Sequence, residues 1–529
     1  MLEHGHGTLD DAQGATVRVA LLEAENTKLR ADIGAREQRI KLLEEALRVL
    51  KADRWGASRE KLGEAPGQGG LFNEVETILE LAEALGAEVE LKATPLREAK
   101  SAKGKPGRKA IAGHLPRIEI RHELPESERT CACGTALTEI APEISEQIDY
   151  VAAKVQVLRH IRAKYVCRGC EQCVMTAPAP AQLLPRSNAS PGLLAHLVTA
   201  KYVDSLPLYR QEAIFARHGI HLPRATQAAW MIGLTLPLTP LINLMDERLR
   251  EAGYVRIDET PVQVLKSDKA PSAEHWMWVR VAGPPGQRLI LFDYDPSRSA
   301  EVAERLLEGC SGYVQTDGYA AYDGVAARLR LTHVGCLAHL RRRFFEAIKA
   351  LPRSEQKTAT AAHEGVRRID ELYTVEREIK GLDPAERQRI RAEKAVPRLD
   401  LLHRWAEDLA RHTLPSGKLG EALGYLLVQW PKLVRYVLDP RLAIDTNVAE
   451  NAIRPFALGR RNWLFADTVM GAKASAALYS LTATARANGL EPYKYLCQLF
   501  TALPKATTVA DFEALLPFRE PLAVIADAA

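Results

Sequence analysis

The stretch from Tyr254 to Gly335 restricts the possible folds more than any other part of the sequence. Tyr254 to Leu265 is rich in β-branched residues, a Pro-containing turn separates it from Trp276 to Val281, and Gly283-Pro-Pro-Gly286 separates that run from Leu289 to Tyr294. Breaks this short join antiparallel neighbours, so the three runs predict a meander. The period then changes. Ser299 to Leu307 reads as helix, Tyr313 to Thr316 as strand, Ala320 to Leu329 as helix and Leu331 to Gly335 as strand, a βαβ unit with parallel strands.

An antiparallel meander followed by βαβ is the strand order of a ribonuclease-H-like fold, so the expected class is multidomain α/β around such a core. In this scheme Asp258 falls mid-sheet beside Val255 and Ile257, where an unpaired carboxylate is costly and needs a reason. Asp317 closes the fourth strand just before Gly318, at the carboxyl end where α/β sheets place their sites. A third carboxylate is expected from a later helix, and Glu450 in Ile444-Asp-Thr-Asn-Val-Ala-Glu-Asn-Ala-Ile-Arg-Pro455 is the candidate. A plainer reading of Glu450 is a capping box with Asn447 or an i,i+4 pair with Arg454. Glu259 and Asp445 stand as alternatives to their neighbours. Three carboxylates in one cleft repel one another, and a hard divalent cation such as Mg²⁺ relieves that repulsion through oxygen ligands at ~2.1 Å. Two such ions, Mg²⁺ or Mn²⁺, ~4 Å apart suit in-line displacement at a phosphodiester by water or a 3′-hydroxyl.

Arg454, Arg460, Arg461, Asn462 and Trp463 follow Glu450, and Arg341, Arg342 and Arg343 follow His339. Cations interleaved with aromatics suit phosphates and unstacked bases, although a solvated helical face has the same pattern. The 132 residues between Asp317 and Glu450 are mostly helical and charged. They are too many for a loop, which predicts a helical insertion at 337–439 splitting a catalytic core of 251–336 and 440–490.

Upstream, Val19, Asn26, Ile33, Ile40 and Leu47 recur at one heptad position, and Leu22, Leu29, Arg36, Leu43 and Leu50 at the other. That seam predicts a coiled coil over 15–52, with Asn26 favouring a parallel homodimer or a larger oligomer; an amphipathic helix packed on its own chain is the alternative. A helical segment and a basic, Gly- and Pro-containing linker cover 53–110. Eight cysteines are too sparse for a disulfide scaffold, yet five fall between 131 and 173, as metal ligands do. Cys131, Cys133, Cys167 and Cys170 predict a structural Zn²⁺ in a zinc-ribbon-like domain at 111–182. Its two knuckles would be joined by a hairpin drawn from Gln147–Val151 and Val155–Val166. Cys131-x-Cys133 is one residue short of the usual knuckle, which leaves Cys173, His122 or His160 as substitute ligands. Across 188–250, Tyr209 to Ala216, Gly219, and a helix from Pro223 carrying Arg224, Thr226 and Gln227 read as a DNA-binding helix-turn-helix, and equally as packing. Residues 491–529 read as a C-terminal helical segment.

Composition adds boundaries to this reading. Lys+Arg 71 against Asp+Glu 67 leaves a net charge of +4 over 529 residues, so a DNA partner is argued from placement and not from bulk charge. No apolar run approaches the ~20 residues that cross a bilayer, and the first residues lack an apolar signal core, so the expected location is cytoplasmic, without a membrane partner.

Nearly the whole chain resembles the insertion-sequence-sixty-six family of bacterial DDE transposases, in the large transposase subunit. The resemblance is carried by the zipper-like start with Arg54-Trp-Gly-x-x-Arg-Glu-Lys-Leu62, the cysteine ribbon, Pro178-Ala-Pro and Leu206-Pro-Leu-Tyr-Arg-Gln211. Asp258-Glu-Thr, Thr316-Asp-Gly-Tyr319, Gly335-Cys-Leu-Ala-His339 and Gly459-Arg-Arg-Asn-Trp-Leu-Phe465 complete it. It implies a DDE core with Asp258, Asp317 and Glu450 as metal ligands, and terminal inverted-repeat and target DNA as substrates. It also implies a nucleoid-associated bacterial protein, with small accessory proteins of the same element as partners. Three positions depart from the family pattern: Thr446 stands where that pattern has Asn, Asn451 where it has Arg, and Leu337 where it has an aromatic. An element-derived DNA-binding regulator without cleavage activity is the alternative.

Overall fold

The computed structural model describes residues 155–166, 174–270 and 272–518, together with helical positions scattered between 26 and 44. Of the predicted seam, Asn26, Ile33, Arg36, Ile40 and Leu43 are helical and exposed. Val19, Leu22, Leu29, Leu47 and Leu50 lie outside the described residues, as do the segment 53–110, His122, Cys131, Cys133, Cys167, Cys170 and Cys173.

Strand β1 (Lys164–Val166) pairs antiparallel with β2 (Val174–Thr176), Lys164 opposite Thr176. The strand expected from Val155 onward needs correction. Residues 155–163, His160 included, are irregular and exposed, with Val157 92% and Ile161 83% accessible, so their side chains gain nothing from a pleated arrangement. The β1–β2 pair flanks the second cysteine group in sequence and does not link the two groups.

Four helices follow: α1 (Pro191–Tyr202), α2 (Leu208–Arg217), α3 (Arg224–Gly233) and α4 (Thr235–Glu251). Helix α1 starts cleanly because the Ser190 hydroxyl accepts the Leu193 N–H at 3.2 Å and Pro191 sits where no N–H is needed. Helices α2 and α3 share a start written Leu-Pro-x-x-x-Gln. In each, the glutamine amide donates back to the carbonyl before the proline, Gln211 to Leu206 and Gln227 to Leu222, both at 2.9 Å. Gly219, at φ 74°, turns the chain between them.

The sheet elements appear in the predicted order: β3 (Tyr254–Lys266), β4 (Glu274–Ala282), β5 (Leu289–Asp295), α5 (Ala300–Leu307), β6 (Tyr313–Gln315), α6 (Ala321–Arg328) and β7 (Thr332–Val334). Spatially the strands run β5-β4-β3-β6-β7, with β5, β4 and β3 antiparallel and β3, β6 and β7 parallel. Strand β3 outruns its parallel neighbour. Along β3, strand β6 covers only Tyr254 to Arg256, and a short later strand, β8 (Ala466–Thr468), pairs at the far end with Val264 and Lys266. Among the described residues, no strand pairs with that edge of β3 between Arg256 and Val264.

Helices α7 (Leu337–Ala350), α8 (Ala361–Glu378), α9 (Pro384–Ile390), α10 (Val396–Ala410) and α11 (Lys418–Leu433) occupy the predicted insertion. They enclose their own hydrophobic cluster, with Phe344, Ile369, Leu402 and Leu426 at its centre, separate from the cluster around Trp278, Val281 and Leu291 of the sheet. Arg391 ties this helical unit to the chain leaving it. Fully buried, it forks onto Glu376 at 2.9 and 2.7 Å and donates to the carbonyls of Tyr436, Asp439 and Leu442 at 3.0, 3.0 and 2.8 Å. A buried guanidinium with this many acceptors is compensated for its lost hydration, and residues 436–442 are thereby fixed just ahead of Glu450.

Helices α12 (Asn447–Trp463), α13 (Val469–Ala487), α14 (Pro492–Ala502) and α15 (Val509–Ala514) close the fold. Helix α13 covers the outer edge of β5 through polar side chains four residues apart. The Ser480 hydroxyl accepts the Phe292 N–H at 2.8 Å, and Thr484 accepts the Ile290 N–H and donates to its carbonyl, both at 3.0 Å. Asn488 does the same for Arg288 at 2.7 and 2.8 Å. Four helical residues rise ~6 Å and two strand residues ~6.6 Å, so the periods match over the three contacts. The edge that could template a foreign strand is thus satisfied by a helix.

Candidate active site

Strand β3 carries Asp258 into the gap between β6 and β8, where one carboxylate oxygen accepts the Glu259 N–H at 2.9 Å. The β3–β6 register ends at Arg256 opposite Gln315, two residues short of Asp258 on β3 and of Asp317 beyond the end of β6, and Asp317 is near enough to act on Asp258 electrostatically. Asp317 opens a turn, accepting the Tyr319 N–H at 3.0 Å. Gly318 is required there because a Cβ would lie 2.5–2.9 Å from the ring of Tyr425 in α11. Gln315 is fully buried and accepts from the Tyr254 hydroxyl, while its amide donates to the carbonyls of Gly335 at 3.0 Å and Ala443 at 2.9 Å. Ala443 leads directly into α12, so one side chain aligns β6 with the element that carries Glu450.

Glu450 lies in the first turn of α12, and the capping box does not form. Asn447 is the first helical residue, and its side-chain amide donates to Asp445 at 2.8 Å. Asp445 also accepts the Asn447 N–H at 3.1 Å and the Tyr373 hydroxyl at 2.9 Å. Glu450 instead faces α7, with the Thr446 hydroxyl at 3.5 Å, His339 Nε2 at 3.7 Å and an Arg342 nitrogen at 3.8 Å. Each of these exceeds the ~2.7–2.9 Å of a charge-assisted hydrogen bond.

Burial, reinforced by repulsion from Glu259, Glu450 and Asp317, pushes the Asp258 carboxyl up from 3.8 to about 7, against the opposing Glu259 N–H. Carboxylates from the β6 end and from α12 therefore act on Asp258 of β3 and oppose its ionisation, which is the electrostatic condition that a hard divalent cation relieves. The alternatives are already engaged. Glu259 is 3% exposed and bonded to Arg298 at 2.7 Å and to the Tyr322 hydroxyl at 2.5 Å. Arg298 in turn stacks on Tyr319 and Trp276 at 4.3 and 4.9 Å. Burial lowers His339 from its usual range, against the pull of Glu450.

Residues 186–474, more than half of the chain, match the family described as Transposase IS66 family. The chain belongs to the IS66 transposases. Further matches place the IS66 C-terminal element at 480–518, the zinc-finger binding domain of transposase IS66 at 128–171, and the element described as Transposase C of IS166 homeodomain at 42–120. The zinc-finger match spans Cys131, Cys133, Cys167 and Cys170 and supports Zn²⁺ in this IS66 transposase. It is 33% identical over 517 residues to the uncharacterized protein y4qI of Sinorhizobium fredii (strain NBRC 101917 / NGR234), covering 95% of this chain and 93% of the relative. The uncharacterized protein y4jD of the same strain is 34% identical over 419 residues, 77% of this chain and 80% of the relative.

The predicted DNA contacts of this IS66 transposase separate by burial. Arg224 and Arg461 are exposed, and Thr226 and Arg454 are half-buried. Arg342 is exposed beside Glu450, and Arg460 reaches the Thr260 hydroxyl at 3.4 Å. Three expectations are corrected. Gln227 is fully buried on the Leu222 carbonyl and presents nothing to a base edge. Arg341 is 11% exposed, bonded to Asp370 at 2.7 Å and stacked on Phe345 at 4.5 Å. Trp463 packs edge-on against Phe456 at 5.4 Å beneath Lys201, so its ring anchors the end of α12 instead of offering a stacking face. Arg298, Tyr322 and Tyr425 were not singled out as site residues from the sequence, because nothing local marks a residue that reaches a site across the fold. Cys336 and His339 did carry a local signal, their Cys-x-x-His spacing.

Proposed function

We propose that this transposase binds the terminal inverted repeats of its element and catalyses Mg²⁺-dependent strand cleavage and strand transfer, with Asp258, Asp317 and Glu450 as the metal ligands of a ribonuclease-H-like core. The observation that carries the reading is the Asp258 carboxyl, destabilised by burial and by carboxylates from two other elements. The strand order, three antiparallel and two parallel about β3, supports the same core. All three side chains offer hard oxygen donors, which fits Mg²⁺ or Mn²⁺. When bound, such ions lower the pKa of an attacking water or 3′-hydroxyl and stabilise the leaving oxygen. The protein's own part is to hold the three carboxylates: Asp258 by the β3 ladder, Asp317 by its turn and Gln315, and Glu450 by the Arg391-anchored approach to α12. Exposed Arg342 and Arg461 would meet phosphates, and the α2–α3 pair would seat on the duplex with Arg224 and Thr226 outward. Exposed Ile33, Ile40 and Leu43 suit a dimer-forming seam, and small proteins of the element are candidate partners.

The test is nicking and strand transfer on end DNA, with Mg²⁺ present or absent. Wild-type chain should cut only with the metal, and Asp258→Asn should bind ends while losing cleavage by at least ~10³-fold. Equal cutting by the variant removes Asp258 from the site; end binding without cutting by the wild type favours a regulator.

A further inference from the structure

We infer a second, softer metal site at Cys336, His339 and Glu450, which takes a borderline divalent ion such as Zn²⁺ or Co²⁺. The three potential ligand atoms, Sγ, an imidazole nitrogen and a carboxylate oxygen, all lie within 4.8 Å of one another. His339 Nε2 and Glu450 Oε1 are 3.7 Å apart, too far for a hydrogen bond and close to the separation of two ligands on one tetrahedral ion with bonds near ~2.0–2.1 Å.

The sulfur is prepared for negative charge. Cys336 is 1% exposed and stands at the N-cap of α7, where the helix dipole favours an anion. Its Sγ accepts both the Thr446 N–H at 3.3 Å and the Thr446 hydroxyl at 3.2 Å. Burial nevertheless pushes the thiol up to about 12, so a thiolate needs a cation in the proton's place. Binding forms the S–metal bond and releases that proton to solvent. Burial also disfavours the charged form of the His339 ring, and the neutral form is the one that ligates.

A thiolate, imidazole and carboxylate set differs in kind from the all-oxygen set of Asp258, Asp317 and Glu450, and it selects a softer metal. The two sets share Glu450. An ion held by Cys336 and His339 therefore draws Glu450 away from the other carboxylates, and zinc antagonises magnesium. This consequence rests on the proposed role of Glu450; the soft site itself does not.

The experiment titrates the full-length chain with Co²⁺ and reads the thiolate-to-cobalt absorption band, comparing wild type with Cys336→Ser. Other cysteines contribute equally to both, so the difference isolates this site. Wild type should take up one more equivalent than Cys336→Ser, and His339→Ala, with the sulfur intact, should weaken that equivalent by at least ~10-fold. Asp258→Asn should leave the band unchanged. Indistinguishable titrations of wild type, Cys336→Ser and His339→Ala overturn the site, as does loss of the band in Asp258→Asn. A wild type that shows the extra band and never cuts DNA keeps the soft site and loses the catalytic reading. In the cleavage assay, micromolar Zn²⁺ should inhibit wild type and spare Cys336→Ser; equal inhibition overturns the competition.

Discussion

Replacing Asp258 by Asn should stabilise the metal-free chain while abolishing its proposed chemistry. The unfolded chain releases this proton near 3.8 and the folded chain only near 7. Between those values the folded state binds more protons, so stability falls as pH rises and the full penalty is present above about 7. The gap, at ~1.4 kcal/mol per pH unit, sets a ceiling of ~4 kcal/mol. Asp258 is half-buried, and the remaining solvent contact reduces the expected gain to roughly 1–3 kcal/mol. Denaturant and thermal melts of both chains in chelator at pH 5 and pH 8 provide the assay. The Asn variant should exceed wild type most at pH 8, and the difference should shrink toward pH 4. Mg²⁺ should then raise the wild-type melting point and leave the variant nearly unmoved, since only a state that binds the ion gains from it. Superimposed pH profiles, or a variant less stable at pH 8, would refute the reasoning.

Other expectations follow from particular contacts. Thr484→Val keeps shape but strips the Ile290 N–H and carbonyl of their partner, which should cost ~2–4 kcal/mol by chemical denaturation and promote association at the β5 edge; an unchanged midpoint would mean that water replaces the hydroxyl. Arg341→Ala should lower stability through its Asp370 pair and leave end affinity nearly constant. Arg342→Ala should do the reverse, reducing the slope of log affinity against log salt by about one; the opposite partition would reverse the two assignments. Metal analysis should find one zinc per chain fewer in Cys167→Ser than in wild type, and equal zinc in the two chains would remove the zinc finger.

The local order of this fold was legible because each element announces itself over a few residues. The three meander strands, the helix–strand alternation from 299 to 335 and the two Leu-Pro starts follow from β-branched periods, short breaks and proline placement. Asp258 could be singled out because an acid amid Val255 and Ile257 conflicts with its surroundings. Gln227 and Trp463 were misjudged for the converse reason. Their types suit DNA contact, yet burial decides whether an amide or a ring faces outward, and burial is a property of the packed molecule. The same limit hid the Ser480, Thr484 and Asn488 ladder, whose four-residue spacing has meaning only opposite a strand edge two hundred positions away.

What the sequence determined by itself is the identity and order of its elements, together with a short list of acids too awkwardly placed to be incidental. Which acids act on Asp258 was decided only in three dimensions. The pairing of β3 with β6 set Asp317 near enough to act on Asp258, Arg391 and Gln315 fixed the approach to Glu450, and hydrogen bonds to Arg298, Tyr322 and Tyr373 engaged Glu259 and Asp445. Propensity acts over a turn or a strand length, whereas electrostatic repulsion acts through space, and only the folded chain sets those distances.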